Sequence, residues 1–266
     1  MEQVNGNHHL TMSVGPAQED YDFHTRTLGM RSIKKTVLFD GKAPIYHLYY
    51  GNAAGDPSSV LTTFPFRQAG VMGRRGTNQV KVINLAVPKG SLPFWERRLA
   101  DHGIVAERSS LLGTERLSFA HPSGIPYALV EVEGDTRAGH TGGGVGADAA
   151  IHGSYGVTVS IHMADEMTEF LELGMRGRRI ASEGASELWQ LGDGPGDLVE
   201  LVEEPDMPHG TWRFGEGTVH HVAFDAGSLD NQMELRLGTE LMLPPWLEDR
   251  RAELMGRLET IDTAGT

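Results

Sequence analysis

Short segments of apolar residues mixed with polar ones recur four times along the chain, and each predicts a β-strand. They read HLTMSVG from His9, VINLAVP from Val82, GVTVSIH from Gly156 and HVAFDAG from His221. Their starts are 73, 74 and 65 residues apart. A pattern that recurs at such regular intervals indicates a chain built from structural repeats.

A helical segment follows each of the first three strands. These segments read DYDFHTRTLGM, PFWERRLADHGI and DEMTEFLELGM, and Gly29, Gly103 and Gly174 are expected to end the helices. Further short strands follow in each case and close with LTTF, LVEVE and LVELVE. Each repeat is therefore predicted to be a βαβββ module.

Modules of this kind must pair, because one module cannot cover both faces of its sheet. We expect an α+β fold with two domains, and we expect the first two modules to form the N-terminal domain over residues 7–135. A glycine-rich segment, residues 136–150, is predicted to be a flexible linker. The C-terminal domain is expected over residues 151–241, followed by a helical tail over residues 242–266.

The fourth module is incomplete in the sequence. After HHVAFDAGSLD the chain passes through NQMELRLGTE directly into LMLPPWLEDRRAELMGRLE, so a helix and two strands of the module pattern are missing. Leu247, Leu254 and Leu258 give the last segment an amphipathic pattern. This pattern predicts a short helix packed across the body of the protein.

Composition narrows the class of protein. The 266-residue chain has a formal net charge of −13, which argues against a nucleic-acid partner. It has no apolar run of about 18 residues, the length expected of a membrane-spanning helix. The absence of cysteines excludes disulfides, thiolate nucleophiles and cysteine-bound zinc. We expect a cytoplasmic protein whose metal, if it binds one, is held by nitrogen and oxygen ligands.

Two His-His pairs open the first and fourth repeated strands. They are His8-His9 and His220-His221, whereas the second and third modules have Val82 and Gly156 at the corresponding position. Two imidazoles and one carboxylate form a site for Fe(II) or Mn(II) that leaves positions open for substrate and oxygen. The pattern therefore predicts a single mononuclear metal site shared by the first and fourth modules.

The module pattern and several segments resemble the vicinal oxygen chelate superfamily, and within it the dioxygenases that cleave the rings of hydroquinones. The segments are DGKAPIYHLYYG, TTFPFR, HPSGIPYALVEVEGDTR, EGTVHHVAF and LMLPPWLEDRR. This resemblance implies a small aromatic substrate, O2, and Fe(II) or Mn(II) bound by His9 and His221. It further implies that His8, His220 and Thr11 serve in proton transfer and orientation.

The third metal ligand is the least defined part of this prediction. In the family a glutamate on the last strand of module four binds the metal, and the chain has no recognisable copy of that segment. If residues 222–224 and 231–237 form a hairpin, Glu234 lies opposite His221 and offers a carboxylate. The alternative is that this segment corresponds to the tail that follows the family's core, where no ligand lies.

Other candidate residues keep two interpretations. On regular strands His8 and His220 would point away from the ligand face, but a β-bulge would redirect them. The strand with His47, Tyr46, Tyr49 and Tyr50 is either an ordinary half-exposed strand or a wall of the ring-binding cavity. Glu131 and Glu200 close the second and third modules, where we expect pairing at strand edges or exposure to solvent. Glu131 is also a candidate carboxylate for a second, vestigial site.

Two other functions fit the same scaffold. A metal-free protein that binds aromatic ligands would result if the third ligand is absent, because two imidazoles alone hold Fe(II) weakly. A glyoxalase-like isomerase or lyase normally needs four ligands with two carboxylates, which the sequence does not display. The open edge of an incomplete fourth module also favours a homo-oligomer in which a second chain completes it.

Overall fold

The computed structural model describes residue 4 and residues 6–38, 45–66, 70–210, 215–225, 241–243 and 245–264. These residues form thirteen strands in two sheets, together with a few short helices. In this part of the chain no helix is long and apolar enough to cross a membrane. The predicted α+β architecture of βαβββ modules is confirmed.

The first sheet combines module one with the first strand of module four. Its strands are β1 (Asn7–Val14), β2 (Arg31–Val37), β3 (Tyr46–Gly51), β4 (Val60–Pro65) and β13 (Thr218–Phe224). They lie in the order β13-β1-β4-β3-β2. Strand β1 is parallel to β4 and antiparallel to β13. It therefore joins the other strands of module one to the strand of module four.

The second sheet combines modules two and three. Its strands are β5 (Gln79–Pro88), β6 (Glu107–Leu111), β7 (Thr114–Ala120), β8 (Pro126–Val132), β9 (Gly153–Ile161), β10 (Arg178–Glu183), β11 (Ser186–Gln190) and β12 (Leu198–Glu203). They lie in the order β10-β11-β12-β9-β5-β8-β7-β6. The central pair, β5 and β9, is antiparallel, as β1 and β13 are.

The helices are short and lie where the repeats predict them. They are α1 (Ala17–Asp22), which continues as a π-helical turn (Phe23–Thr27), α2 (Leu92–Asp101), α3 (Ala164–Glu169) with a second π-helical turn (Phe170–Gly174), and α4 (Arg251–Met255), which follows a 3-10 turn (Pro245–Arg250). Gly29 and Gly103 adopt positive φ angles just past the first two helices, as expected of helix ends. Gly174 instead lies inside the last turn, and Arg176 takes the positive φ angle after it.

The pairing of modules differs from the predicted one. Module one shares its sheet with module four, and module two shares its sheet with module three, so the expected pairing of modules one and two is wrong at the level of the sheets. In modules one to three the first strand lies at the edge of the module's own strands, and it pairs there with the first strand of another module in antiparallel fashion. The repeats present similar edges, so the sequence pattern alone does not determine which edges meet.

The segment predicted to be a flexible linker is packed against the protein. Val145, Ala149 and Ala150 are buried, and the indole N–H of Trp95 donates a hydrogen bond to the carbonyl oxygen of Ala149 at 3.0 Å. The C-terminal segment is also in contact with the body, because Leu254 is buried and the hydroxyl of Tyr46 donates to the carbonyl of Glu259 at 2.8 Å.

Alternation along β1 determines which residues reach the functional face. Leu10, Met12 and Val14 are completely buried in the main hydrophobic cluster. Successive side chains of a strand point to opposite faces, so His9 and Thr11 lie on the other face. Burying each of these large apolar side chains contributes about 1.5–3 kcal/mol, which fixes the strand's orientation.

Candidate active site

Two histidines from distant parts of the chain meet across the β1–β13 pair. His9 lies opposite Ala223, and Thr11 lies opposite His221. His9 and His221 are therefore diagonal neighbours on one face of the sheet. Their Nε2 atoms are 3.2 Å apart. The fold thus brings together the two imidazoles that the sequence predicts to share a site.

The first histidine of each pair is the extra residue of a β-bulge. On β1 the register shifts just before His9, which leaves His8 without an opposite residue. On β13 the register passes from His221 to Val219, which leaves His220 without one. Bulges bend a strand locally and redirect its side chains, and they are common beside active sites. Both histidines are redirected here, as the bulge interpretation of the sequence expected.

Each bulged histidine contacts the ring of the histidine that follows it. The Nδ1 atoms of His8 and His9 are 2.8 Å apart, and the Nδ1 atoms of His220 and His221 are also 2.8 Å apart. In each pair one nitrogen donates and the other accepts. The Nδ1 side of both central imidazoles is therefore engaged, and their Nε2 atoms face each other.

Burial and neighbouring imidazoles lower the pKa values of three histidines at the site, His9, His47 and His220. Burial, followed by His8 and His221, lowers the pKa of His9 to about 4. Burial and His221 lower the pKa of His220 to about 4. Burial, followed by His9, holds the pKa of His47 well below its ordinary value. Metals bind the neutral form of imidazole, so no proton competes for the ring nitrogens of His9 at pH 7.

A line of buried polar groups runs from the histidine pair into the sheet. The Thr11 hydroxyl lies 3.1 Å from His221 Nε2 and 2.7 Å from the Thr62 hydroxyl. The Thr62 hydroxyl lies 3.0 Å from His47 Nε2, and the Tyr49 hydroxyl lies 3.1 Å from His47 Nδ1. Thr11, Thr62, His47 and Tyr49 are all buried. The line fixes the orientation of the Thr11 hydroxyl beside His221.

The aromatic strand β3 divides its side chains between two faces. His47 and Tyr49 lie on the face of the histidine cluster, whereas Tyr50 points into the core and Tyr46 packs beside the C-terminal segment. The ring of Phe64 on β4 lies 4.4 Å from the ring of His47. Phe64 and its neighbour Thr62 were not predicted as site residues. Both lie within the TTFPFR segment, and the resemblance of this segment to the family was the one sequence signal that could have identified them as site residues.

The spacing of the two Nε2 atoms fits a shared metal ion. Two nitrogens at about 2.1 Å from one metal are roughly 3.0 Å apart at a right angle and roughly 3.4 Å apart at a tetrahedral angle. The observed 3.2 Å between His9 and His221 lies between these values. The predicted third ligand, Glu234, and the second strand of its predicted hairpin, residues 231–237, lie outside the residues that the structure describes.

Two ring-cleaving dioxygenases are similar in sequence to most of the chain, although no family model matches it. A chlorohydroquinone/hydroquinone 1,2-dioxygenase of Sphingobium indicum is 35% identical over 90% of this chain and 76% of its own length. A Bacillus subtilis protein described as "putative ring-cleaving dioxygenase MhqO" is 35% identical over 86% of this chain and 72% of its own. The chain belongs to the ring-cleaving dioxygenases.

Solved structures agree with this assignment. The crystal structure of a Bacillus subtilis protein described as a "putative dioxygenase" superposes on this dioxygenase with a TM-score of 0.90, at 28% identity and over the full length of both chains. Glyoxalase I of Zea mays, at 14% identity, gives a TM-score of 0.60 over 82% of this chain and 73% of that one, which shows the fold alone. The predicted vicinal oxygen chelate fold and ring-cleaving dioxygenase activity are confirmed, and the relatives imply a metal cofactor.

A second group of potential metal ligands lies in the core of this dioxygenase. Ligand atoms of Asp20, His24 and His121 all lie within 4.8 Å of one another, and the three residues are buried. His24 and His121 were not predicted as ligands, because they are separated by 97 residues and show no ligand spacing in the sequence. The Asp20 carboxylate already accepts hydrogen bonds from the hydroxyls of Tyr50 at 2.8 Å and Thr63 at 2.6 Å.

The two histidines of this core group are also fully engaged. His121 Nδ1 accepts the backbone N–H of Ser123, which leaves its Nε2 to donate to Asp20 at 3.2 Å. His24 contacts the backbone carbonyl of Asp20 and the hydroxyl of Tyr127. Although burial opposes it, His24 and the hydrogen bond from His121 hold the pKa of Asp20 well below its ordinary value. A metal would have to displace these donors, so the geometry supports a structural hydrogen-bond network.

The carboxylates that close modules two and three have defined roles. Glu131 accepts the backbone N–H of Leu92 at the start of α2, at 3.1 Å. It is thus engaged at a helix end. Glu200 is buried in an ion pair with Arg116, so it is paired, but neither at a strand edge nor exposed to solvent as expected. The parallel pairing of β12 with β9 places Glu200 inside the sheet.

Proposed function

We propose that this dioxygenase opens the ring of a hydroquinone-type substrate with O2 at a non-haem metal. The metal is Fe(II), with Mn(II) as the alternative, and its ligands are His9, His221 and Glu234. The name of the Sphingobium indicum relative, a chlorohydroquinone/hydroquinone 1,2-dioxygenase, supports this substrate class. The cytoplasmic location and the homo-oligomer remain predictions from the sequence.

One observation carries the proposal for the metal site. The Nε2 atoms of His9 and His221 lie 3.2 Å apart, while both Nδ1 atoms are engaged by the preceding histidines. Groups that hold the far nitrogen of a ligating histidine fix its ring orientation and its tautomer. This arrangement suits two imidazoles that present Nε2 to one ion.

The other residues divide between orientation and proton transfer. When bound, the metal supplies a Lewis acid that lowers the pKa of a substrate hydroxyl. His8 and Thr11 are buried, and we assign them to orientation: His8 holds His9, and Thr11 lies beside His221. His220 is half-buried beside the proposed ligand His221, and we assign it to accepting the hydroxyl proton.

Aromatic groups beside the histidines offer a surface for a substrate ring. The Phe64 ring lies 5.4 Å from the ring of His220 and 4.4 Å from the ring of His47. The low pKa of His47 keeps this wall uncharged. An uncharged aromatic wall favours binding of a neutral ring over a highly charged substrate.

The direct test is oxygen uptake by the anaerobically Fe(II)-loaded protein with hydroquinone and its chlorinated and methylated analogues. We expect one O2 consumed per ring opened, and loss of uptake in His9→Ala and His221→Ala. His102→Ala, a change at an exposed histidine, is the matched control and should keep full activity.

The outcome also separates the two rival functions. Saturable binding of hydroquinone without iron and without oxygen uptake would indicate a metal-free aromatic-binding protein. Turnover with Zn(II) or Ni(II) in the absence of O2 would indicate a glyoxalase-like isomerase or lyase. Either result would contradict the proposed chemistry.

A further inference from the structure

The central strand pair of the second sheet repeats the register of the histidine site. On β5 and β9, Val82 lies opposite Thr158, and Asn84 lies opposite Gly156. Val82 and Gly156 therefore occupy the two positions that the ligand histidines occupy on β1 and β13. The second sheet contains a structural copy of the active-site position in which neither ligand is present.

The two β-bulges are copied as well. The register shifts between Val80 and Val82, which leaves Lys81 without an opposite residue. It shifts again beyond Asn84, where Tyr155 is left without one. Lys81 and Tyr155 thus stand where the bulged histidines stand in the first sheet, and the local twist that shapes the active site is retained.

This position opens onto a cavity of about 190 Å³. The lining includes Val82, Asn84 and Thr158 from the central pair, with Arg116 and Glu200 from the flanking strands. Asn84, Thr158, Arg116 and Glu200 are each more than nine-tenths buried. The cavity is therefore built from polar side chains held inside the sheet.

In this cavity a buried carboxylate is paired with an arginine side chain. Arg116 Nη1 donates to Glu200 Oε2 at 2.6 Å, and Arg116 Nε donates to the hydroxyl of Thr114 at 3.1 Å. Glu200 lies on the last strand of module three. By resemblance to the family, the metal-binding glutamate is expected on the corresponding last strand of module four. Because the guanidinium engages the Glu200 carboxylate, the copied site does not need a metal to neutralise it.

Two lining residues have unmet hydrogen-bonding capacity. Within the described residues, Arg116 Nη2 and Asn84 Oδ1 are buried and have no hydrogen-bonding partner. Asn84 uses its amide N–H to donate to Thr158 at 3.0 Å, so its oxygen is left over. Buried polar atoms nearly always find a partner. A ligand that both accepts and donates a hydrogen bond would satisfy both atoms.

Charge balance selects a neutral ligand. Arg116 is paired with Glu200, and Lys81 is paired with Glu204 at 2.6 Å, so the charges around the cavity cancel. A cavity of about 150 Å³ accommodates a benzene ring. We propose that this cavity is a second, metal-free binding site for a small neutral phenol, whose hydroxyl accepts from Arg116 and donates to Asn84.

The test uses the full chain, treated with chelator, and phenol as the probe, followed by two-dimensional amide NMR. We expect saturable shifts of the Asn84 side-chain amide. Val82→Phe should fill the cavity and raise the Kd of phenol there at least tenfold, and Ser118→Phe, at an exposed lining position, should do the same. Val105→Phe, at a fully exposed valine, is the matched control and should leave the Kd unchanged.

Three results would overturn the proposal. The first is the absence of any saturable shift, which would mean that water alone fills the cavity. The second is a set of shifts confined to the histidine cluster. The third is phenol binding that neither Val82→Phe nor Ser118→Phe weakens. The measurement is made without metal, so its outcome does not depend on the proposed dioxygenase chemistry. Iron-loaded Val82→Phe should retain oxygen uptake within twofold, because Val82 lies in the other sheet.

Discussion

His8 and His220 are the extra residues of two β-bulges on opposite strands of one antiparallel pair, and each engages Nδ1 of the next histidine at 2.8 Å. The relationship explains why the dipeptide occurs twice. In the proposed metal site, one histidine of each pair supplies Nε2, and the other holds the ring of that histidine at Nδ1. A regular strand would send the two side chains to opposite faces.

Replacing either bulged histidine should therefore weaken metal binding without removing a ligand. For His8→Phe and His220→Phe we expect a 10- to 100-fold loss of Fe(II) affinity, the usual cost of removing a group that supports a metal ligand. Competition with a chelator measures this affinity. His102→Phe, at an exposed histidine, is the matched control, and equal affinity in all variants would show that the Nδ1 contacts do not support the site.

The hydroxyl line through the sheet predicts a milder defect. Thr62→Val keeps the side-chain shape but removes the contacts with Thr11 and His47. We expect kcat to fall about 2- to 12-fold, which corresponds to the roughly 0.5–1.5 kcal/mol of one net hydrogen bond. Metal content and KM should remain near wild-type values. A change in KM alone would place Thr62 in substrate binding.

The metal-free protein should lose stability in mild acid. The pKa of His9 and that of His220 are lowered to about 4, against 6.5 in the unfolded chain. Between these values the unfolded state binds more protons, so the free energy of unfolding decreases as the pH falls from 6.5 to 4. Thermal unfolding at several pH values measures this slope. The double variant His9→Gln, His220→Gln should show a shallower slope, and an unchanged slope would contradict the assignment.

The core network around Asp20 should contribute to stability and not to metal binding. Asp20→Asn replaces a carboxylate that accepts from Tyr50, Thr63 and His121, so we expect a loss of about 1–3 kcal/mol in the free energy of unfolding. Urea unfolding measures it, with Asp101→Asn at an exposed position as the control. A loss of bound iron in folded Asp20→Asn would show that the network holds metal.

Local sequence patterns predicted the strands and helices well, but they did not predict the contacts between residues that are distant in the sequence. The repeated strands and helix ends follow from alternation and from glycines such as Gly29 and Gly103, which adopt positive φ angles. The strand patterns did not indicate that module one pairs with module four, because all four modules offer a similar edge strand; only the two His-His pairs brought these modules to one site. His24 lies one helical turn after Asp20, but the contact of His121 with Asp20 depends on helix α1 packing against a distant loop, which no local spacing predicts.

The site itself was only partly predictable. The doubled histidines identified the shared position, and the bulge interpretation anticipated that both side chains of a pair could turn to one side. Nothing in the sequence indicated that Nδ1 would contact Nδ1. The polar cavity around Arg116 and Glu200 could not be predicted from the sequence either, because its residues come from different modules.

The central claim is that His9 and His221 hold one metal ion between them, and metal content after anaerobic Fe(II) loading tests it most directly. The proposal predicts close to one iron per chain in the wild-type protein and in Asp20→Asn, and only background iron in folded His9→Ala and His221→Ala. Full iron content in both alanine variants, or background iron in the wild-type protein, would contradict the claim.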